Sequence, residues 1–162
     1  MNKNTGFTLI EVLIAMLIMA FGLLGLAGLQ ATGLSDNQSA YFRSQATQLA
    51  YDIADRIRVN LDDASNGAAS IYITQDPTTA LPQADCTTVT STCTTADLAE
   101  NDLSQWNLSV TNTLPMGAGT LAVNGSVFSV TINWDDNRDG VVDANPANAI
   151  PDDPNFQMNF RL

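Results

Sequence analysis

From Val12 to Leu29 the chain carries no charge and no polar side chain, and a single carboxylate, Glu11, stands directly in front of this run. At about 1.5 Å of rise per residue a helix over this stretch is about 27 Å long, and Phe7 to Ile10 extend it to a comfortable bilayer span. An ordinary secretory signal pairs a charged start with an apolar stretch of about 7–15 residues and a small-x-small cut behind it. Here the polar segment Met1 to Gly6 precedes the apolar run, so a cut at that boundary leaves the hydrophobic segment in the mature chain. Lys3 is the only basic residue before Arg43, and its sign agrees with a cytoplasmic N-terminus. Glu11 is costly at the edge of a membrane span. It reads either as an acid lying in the headgroup zone or as a group kept for a function.

The octapeptide Gly6-Phe7-Thr8-Leu9-Ile10-Glu11-Val12-Leu13 resembles the class III signal of type IV prepilins and type II secretion pseudopilins. The resemblance implies a non-enzymatic subunit that a membrane prepilin peptidase cuts after Gly6, with Phe7 becoming the N-methylated terminus. It implies an inner-membrane, single-pass precursor with its C-terminal domain in the periplasm, later drawn by the assembly machinery into a fibre at the cell surface. Glu11 then becomes the fifth mature residue. A carboxylate buried among packed helices needs an opposite charge, and the α-amino group of a neighbouring subunit's Phe7 supplies one. In low dielectric such a pair sets direction and register even where its net stabilisation is small. Gly22, Gly25, Gly28 and Gly33 punctuate the span. They read as a close-packing face, as a stretch that unwinds in the fibre, as the resemblance implies, or simply as membrane-helix composition.

Beyond Leu34, Ser35-Asp36 mark a cap or membrane exit, and an amphipathic helical pattern resumes. Phe42, Ala46, Leu49, Ile53, Ile57 and Leu61 recur at three- and four-residue steps, and Asp52 and Arg56 stand one turn apart. One helix from Phe7 to about Asn60, roughly 80 Å long, is expected, with Asn66-Gly67 closing the region. The chain thus divides into a leader (1–6), a transmembrane or fibre-core half-helix (7–34), an amphipathic half-helix (35–63) and a C-terminal α+β domain (64–162). Within that domain Ser70 to Thr74 reads as a strand and Gln75 to Thr95 as loop. Leu98, Leu103, Trp106, Val110 and Leu114 form a helix stopped by Pro115. Strands at Thr120–Val123 and Ser126–Trp134 flank an Asn124-Gly125 turn, and Phe156, Met158, Phe160 and Leu162 form a closing strand. The expected fold is α+β and pilin-like: a long N-terminal helix laid on a small antiparallel sheet. Asp97-Leu98, Gln105-Trp106, Leu114-Pro115 and Val130-Thr131-Ile132-Asn133-Trp134 resemble the body of PilV-type minor pilins.

Several chemistries lack their residues. There is no histidine, hence neither the usual general base nor the commonest transition-metal ligand. No G-x-S-x-G elbow is present, and nothing sets the Asp residues apart as a catalytic pair. The net charge of −11 opposes a phosphate backbone, so no nucleic-acid partner is expected. Cys86 and Cys93 are too few for a zinc site. In an exported chain they are expected as a disulfide, the alternative being two structural thiols. Asp135-Asp136-Asn137-Arg138-Asp139-Gly140-Val141-Val142-Asp143 matches the first nine positions of a calcium loop, with oxygens from Asp135, Asn137, Asp139, the Val141 carbonyl and Asp143. Pro146 stands where the bidentate Glu belongs; Asp152 or Asp153 is a substitute, and a solvated turn is the alternative reading. No cofactor is required, and calcium is the one candidate. The expected function is a minor pilin of a type IV pilus acting in assembly or modification, with other pilins, the inner membrane and the assembly machinery as partners. The competing readings are a type II secretion minor pseudopilin and a pilus-displayed adhesin or DNA-uptake module.

Overall fold

The computed structural model describes residues 8–83, 86, 92–142 and 153–162. It falls into two units, 1–40 and 41–162. Helix α1 runs without a break over Leu9–Val59, so Ser35-Asp36 interrupts nothing. From Thr8 to Thr32 every residue is exposed.

In the second unit the C-terminal part of α1 is amphipathic as its periodicity demands, burying Phe42, Ala46, Ala50, Ile53, Ala54 and Ile57. The alanines fill the positions between the larger side chains and let other elements approach closely. Leu61 is a correction: it lies beyond the end of α1, in the short helix α2 (Leu61–Ala64), and is 51% exposed. The break comes at Asn60, before Asn66-Gly67. The Asn60 amide donates to the Thr95 carbonyl oxygen at 2.7 Å and to Tyr72 Oη at 3.4 Å, so its side chain makes tertiary contacts instead of capping α2. Asn66 and Gly67 begin a single 3-10 turn, Gly67–Ala69.

Ser70 to Thr74 is not a strand but the N-cap and body of helix α3 (Ile71–Thr74). The β-branched composition favours extended backbone, and local hydrogen bonding overrides it. Ser70 Oγ accepts from Tyr72 N at 3.2 Å and donates to Asp63 Oδ2 at 2.6 Å, while Asp63 also accepts from Ile71 N. The turn thereby buries Tyr72 completely.

Helix α4 (Thr95–Thr113) has a capping box: Asp97 N donates to Thr94 Oγ1, and Asp97 Oδ2 accepts from Thr94 N. Side-chain and then backbone hydrogen bonds from Thr94 hold the Asp97 carboxyl below the usual range. Ala99, Leu103, Trp106 and Val110 form its buried face. Strands β1 (Ala118–Asn124), β2 (Val127–Asn133) and β3 (Asn155–Arg161) make one antiparallel sheet in the order β1-β2-β3. Phe128, Val130 and Ile132 alternate inward with polar partners outward. The hairpin register places Asn124 opposite Val127, so the turn residues are Gly125 and Ser126, one step later than the Asn-Gly pair suggests. Gly125 takes φ 60° and Ser126 does not lie at positive φ, the glycine-first pattern of a two-residue hairpin.

The core joins the amphipathic part of α1, α3, α4 and the inner face of the sheet around Trp106, Trp134, Tyr72 and Phe128. Trp106 Nε1 donates 2.8 Å to the Leu49 carbonyl of α1, satisfying a polar atom on a fully buried ring. Opposite it, a Cβ at Gly119 would fall on Trp106 Cη2 and within 2.7 Å of Cζ3, so the strand needs glycine there.

Candidate assembly surface and acidic loop

Glu11 lies in the first turn of α1, and its amide donates to the Thr8 carbonyl at 3.1 Å. A carboxylate there is favoured by the helix dipole. It borders an apolar groove with Val12, Ala15, Met16 and Met19, and beyond it the helix is bare: Leu9, Ile10, Phe21, Leu24 and Leu29 are all largely exposed. None of the most apolar stretch of α1 is buried, and the helix is long and apolar enough to cross a membrane. A core helix of a soluble protein passes the same length test but is covered; this one is not. A signal sequence near the N-terminus passes the same test too; α1 is far longer than the apolar stretch alone, running unbroken from Leu9 to Val59. So much exposed apolar surface requires lipid or other helices around it. A Cβ added at Gly22, Gly25, Gly28 or Gly33 meets no atom of the described residues within 4 Å. Gly6 and Phe7 lie outside the described residues.

The end of α1 is fixed to the globular core by a polar network that sequence spacing shows only in part. The expected Arg56–Asp52 pair is present at 3.1 Å. Arg56 also donates to Asp102 Oδ1 at 3.1 Å and to Gln105 Oε1 at 3.2 Å, both on α4. Burial works against the guanidinium, but Asp102 and Asp52 outweigh it and hold its pKa above the ordinary value. Tyr72 Oη donates to the other oxygen of Asp102 at 2.6 Å. Burial, reinforced by that bond, pushes the Tyr72 phenol far upward. Asp102 thereby links α1, α3 and α4. The signal that was available was an acid on the inner side of α4, one turn before Trp106; its partners, 30 and 46 residues away, had no local signature.

Cys86 and Cys93 form a disulfide, with Cα atoms 5.0 Å apart. The acidic loop leaves the end of β2. Asp135 is 3% exposed, and its Oδ2 accepts from Gly140 N at 3.0 Å. Asn137 Oδ1 accepts from Asp139 N at 2.8 Å, and Asp139 Oδ1 from Val141 N at 2.9 Å. Gly140 takes φ 87° and Arg138 φ 62°. Asp153 Oδ1 accepts from Asp136 N at 2.8 Å, tying the approach to β3 to this loop. Among the described residues no group of three or more His, Cys, Asp or Glu gathers as a metal-binding set. Asp143 and Asp152 lie outside the described residues.

Residues 1–27 match the model of the prokaryotic N-terminal methylation motif, and residues 28–104 match the Tt1218-like model, described as Type IV pilin Tt1218. The second match begins where the first ends. It covers the rest of the apolar run, the amphipathic part of α1 and the first half of α4. No curated protein and no solved structure matches the chain.

Proposed function

Since the chain is a type IV pilin carrying an N-terminal methylation motif, a structural subunit and not an enzyme, we propose that it serves as a minor pilin of a type IV pilus. In this reading prepilin peptidase cuts between Gly6 and Phe7 and Phe7 is methylated. The subunit then waits in the inner membrane, its C-terminal domain in the periplasm, until the assembly machinery transfers α1 from lipid to the fibre core. The observation that carries the proposal is the uncovered apolar helix with one carboxylate at its head. Both lipid and a bundle of like helices satisfy such a surface, whereas water does not. Glu11 discriminates between the two environments. In lipid it is a liability; in a fibre it meets the new α-amino group of a neighbouring Phe7.

The minor role, and within it the PilV-type assignment, draws on Asp97-Leu98, Gln105-Trp106, Leu114-Pro115 and the Val130–Trp134 segment. Five of these residues, Trp106, Leu114, Val130, Ile132 and Trp134, are core positions.

The test is co-expression with a prepilin peptidase and the other pilins, followed by mass spectrometry of sheared fibres. The expected species starts at N-methylated Phe7 and is scarce relative to the principal subunit. Glu11→Ala is expected to be processed and to remain in the membrane, yet to be lost from fibres by tenfold or more. An intact Met1-to-Gly6 leader in fibres, or undiminished incorporation of Glu11→Ala, overturns the reading. Deletion that abolishes type II secretion while leaving pili unchanged moves the subunit to the pseudopilins.

A further inference from the structure

The orphaned oxygen of Asp135 points to a second site, unconnected with assembly of the helix: we infer that the loop from Asp135 to Val141 binds a calcium-type divalent cation. Asp135 is 97% buried by its 3% exposure, and its Oδ1 has no hydrogen-bond partner. A buried carboxylate is ordinarily satisfied on both oxygens, and an unmet one is a costly arrangement that calls for an unseen partner. The carboxylate cannot simply turn away to solvent, since Oδ2 is held by the Gly140 amide at the centre of the loop. Arg138, the cation within the loop, does not supply the missing charge: its guanidinium stands 5.9 Å over the Phe42 ring of α1.

The surrounding donors are oxygens. Asn137 Oδ1 and Asp139 Oδ1 each accept one backbone amide, which fixes their direction and leaves a second lone pair on each. Asp139 Oδ2, which also accepts from Asn137 Nδ2 at 3.3 Å, and the Val141 carbonyl bring the oxygen set to two carboxylates, one amide and one carbonyl. Hard oxygens on a flexible backbone suit calcium, with waters filling the remaining positions, and they do not suit zinc or copper. Magnesium demands tighter octahedral geometry and holds its waters. With four protein donors the expected affinity is that of extracellular calcium modules, with a dissociation constant of about 10⁻⁴–10⁻³ M. The bound ion would also steady Arg138 against Phe42 and the Asp136–Asp153 contact, linking α1, the end of β2 and the start of β3.

The experiment uses the full chain in detergent, stripped with chelator. Terbium is titrated while its emission is read under tryptophan excitation, since Trp134 adjoins the loop and its Nε1 donates to Asp136. Calcium is then used to displace terbium, and thermal melting is followed with 10 mM calcium against 10 mM magnesium. For a dissociation constant of about 10⁻³ M, 10 mM calcium favours the folded state about elevenfold. The expected result is saturable emission, displacement by millimolar calcium, and a melting temperature raised by calcium and not by magnesium. Asp139→Ala alters an exposed side chain and is expected to keep the fold while losing all three signals by at least tenfold in affinity. Asp135→Asn retains the acceptor for Gly140 N and is expected to do the same. Absence of sensitised emission and of any calcium-specific melting shift in the unaltered chain overturns the site. So does a shift that persists in Asp139→Ala and Asp135→Asn; a water molecule then satisfies Asp135.

Discussion

Replacing Gly119 by alanine tests how the sheet and the helices are joined. On an open strand this change would stabilise, by about 0.4–1 kcal/mol, because alanine has less freedom to lose on folding. Here the new methyl would overlap the benzo ring of Trp106. That ring is fully buried and tethered by its Nε1 to the Leu49 carbonyl, so it cannot withdraw without straining or losing the bond. Overpacking of this kind costs about 1–3 kcal/mol, and loss of a buried hydrogen bond adds about 1 kcal/mol. Set against the entropic gain, the net expectation is a loss of about 1–3 kcal/mol. For a folded unit of the size of Tyr41–Leu162 this lowers the melting temperature by roughly 4–12 °C. Near-ultraviolet circular dichroism of the detergent-solubilised chain follows the tryptophan environment directly. The decisive measurement is the double substitution. Trp106→Phe removes the overlapping ring atoms, so Gly119→Ala should cost almost nothing in that background, a coupling of at least about 1 kcal/mol. A Gly119→Ala protein that melts like the parent refutes the argument, as does a penalty undiminished beside Phe at position 106.

Two further outcomes concern Tyr72 and the disulfide. Because the folded-state pKa of Tyr72 is raised, its contribution is complete below the ordinary tyrosine value near 10 and is lost as pH rises through the folded value. Chemical denaturation should therefore show the unaltered chain losing up to about 1.4 kcal/mol between pH 10 and pH 11 that Tyr72→Phe retains; equal slopes would show that Tyr72 does not govern the alkaline limb. Removing the disulfide with paired Cys86→Ser and Cys93→Ser substitutions should cost about 2.5 kcal/mol in the chain-entropy account, read as a lower denaturant midpoint at unchanged slope.

What the sequence determined by itself is what local order can encode. The apolar run with Glu11 at its head forces an uncovered helix, and the three-four spacing from Phe42 to Ile57 fixes which face of α1 enters the core. Strict alternation in Phe128-to-Trp134 and Phe156-to-Phe160 fixes two strands, and Thr94 with Asp97 fixes the start of α4. The spacing of Asp135, Asn137 and Asp139 around Gly140 marks the acidic loop as a candidate by local order alone. The tertiary structure decided the rest, wherever a residue's partner is distant. Ser70-Ile71-Tyr72-Ile73-Thr74 has a strand's composition and became a helix because Asp63 takes the Ser70 hydroxyl and the Ile71 amide while the core takes Tyr72. Arg56 looked like half of a surface pair and is a bridge to Asp102. The hairpin turned one residue late, and the pairing shows what that decides: Phe128 sits opposite Val123 and Val130 opposite Leu121, whereas a turn at Asn124-Gly125 would keep the same faces but set Phe128 opposite Leu121. Asp135 was one acid among several until burial left one of its oxygens without a partner. Periodicity reports which side of an element faces inward, but what that side meets depends on chain segments brought together only by folding.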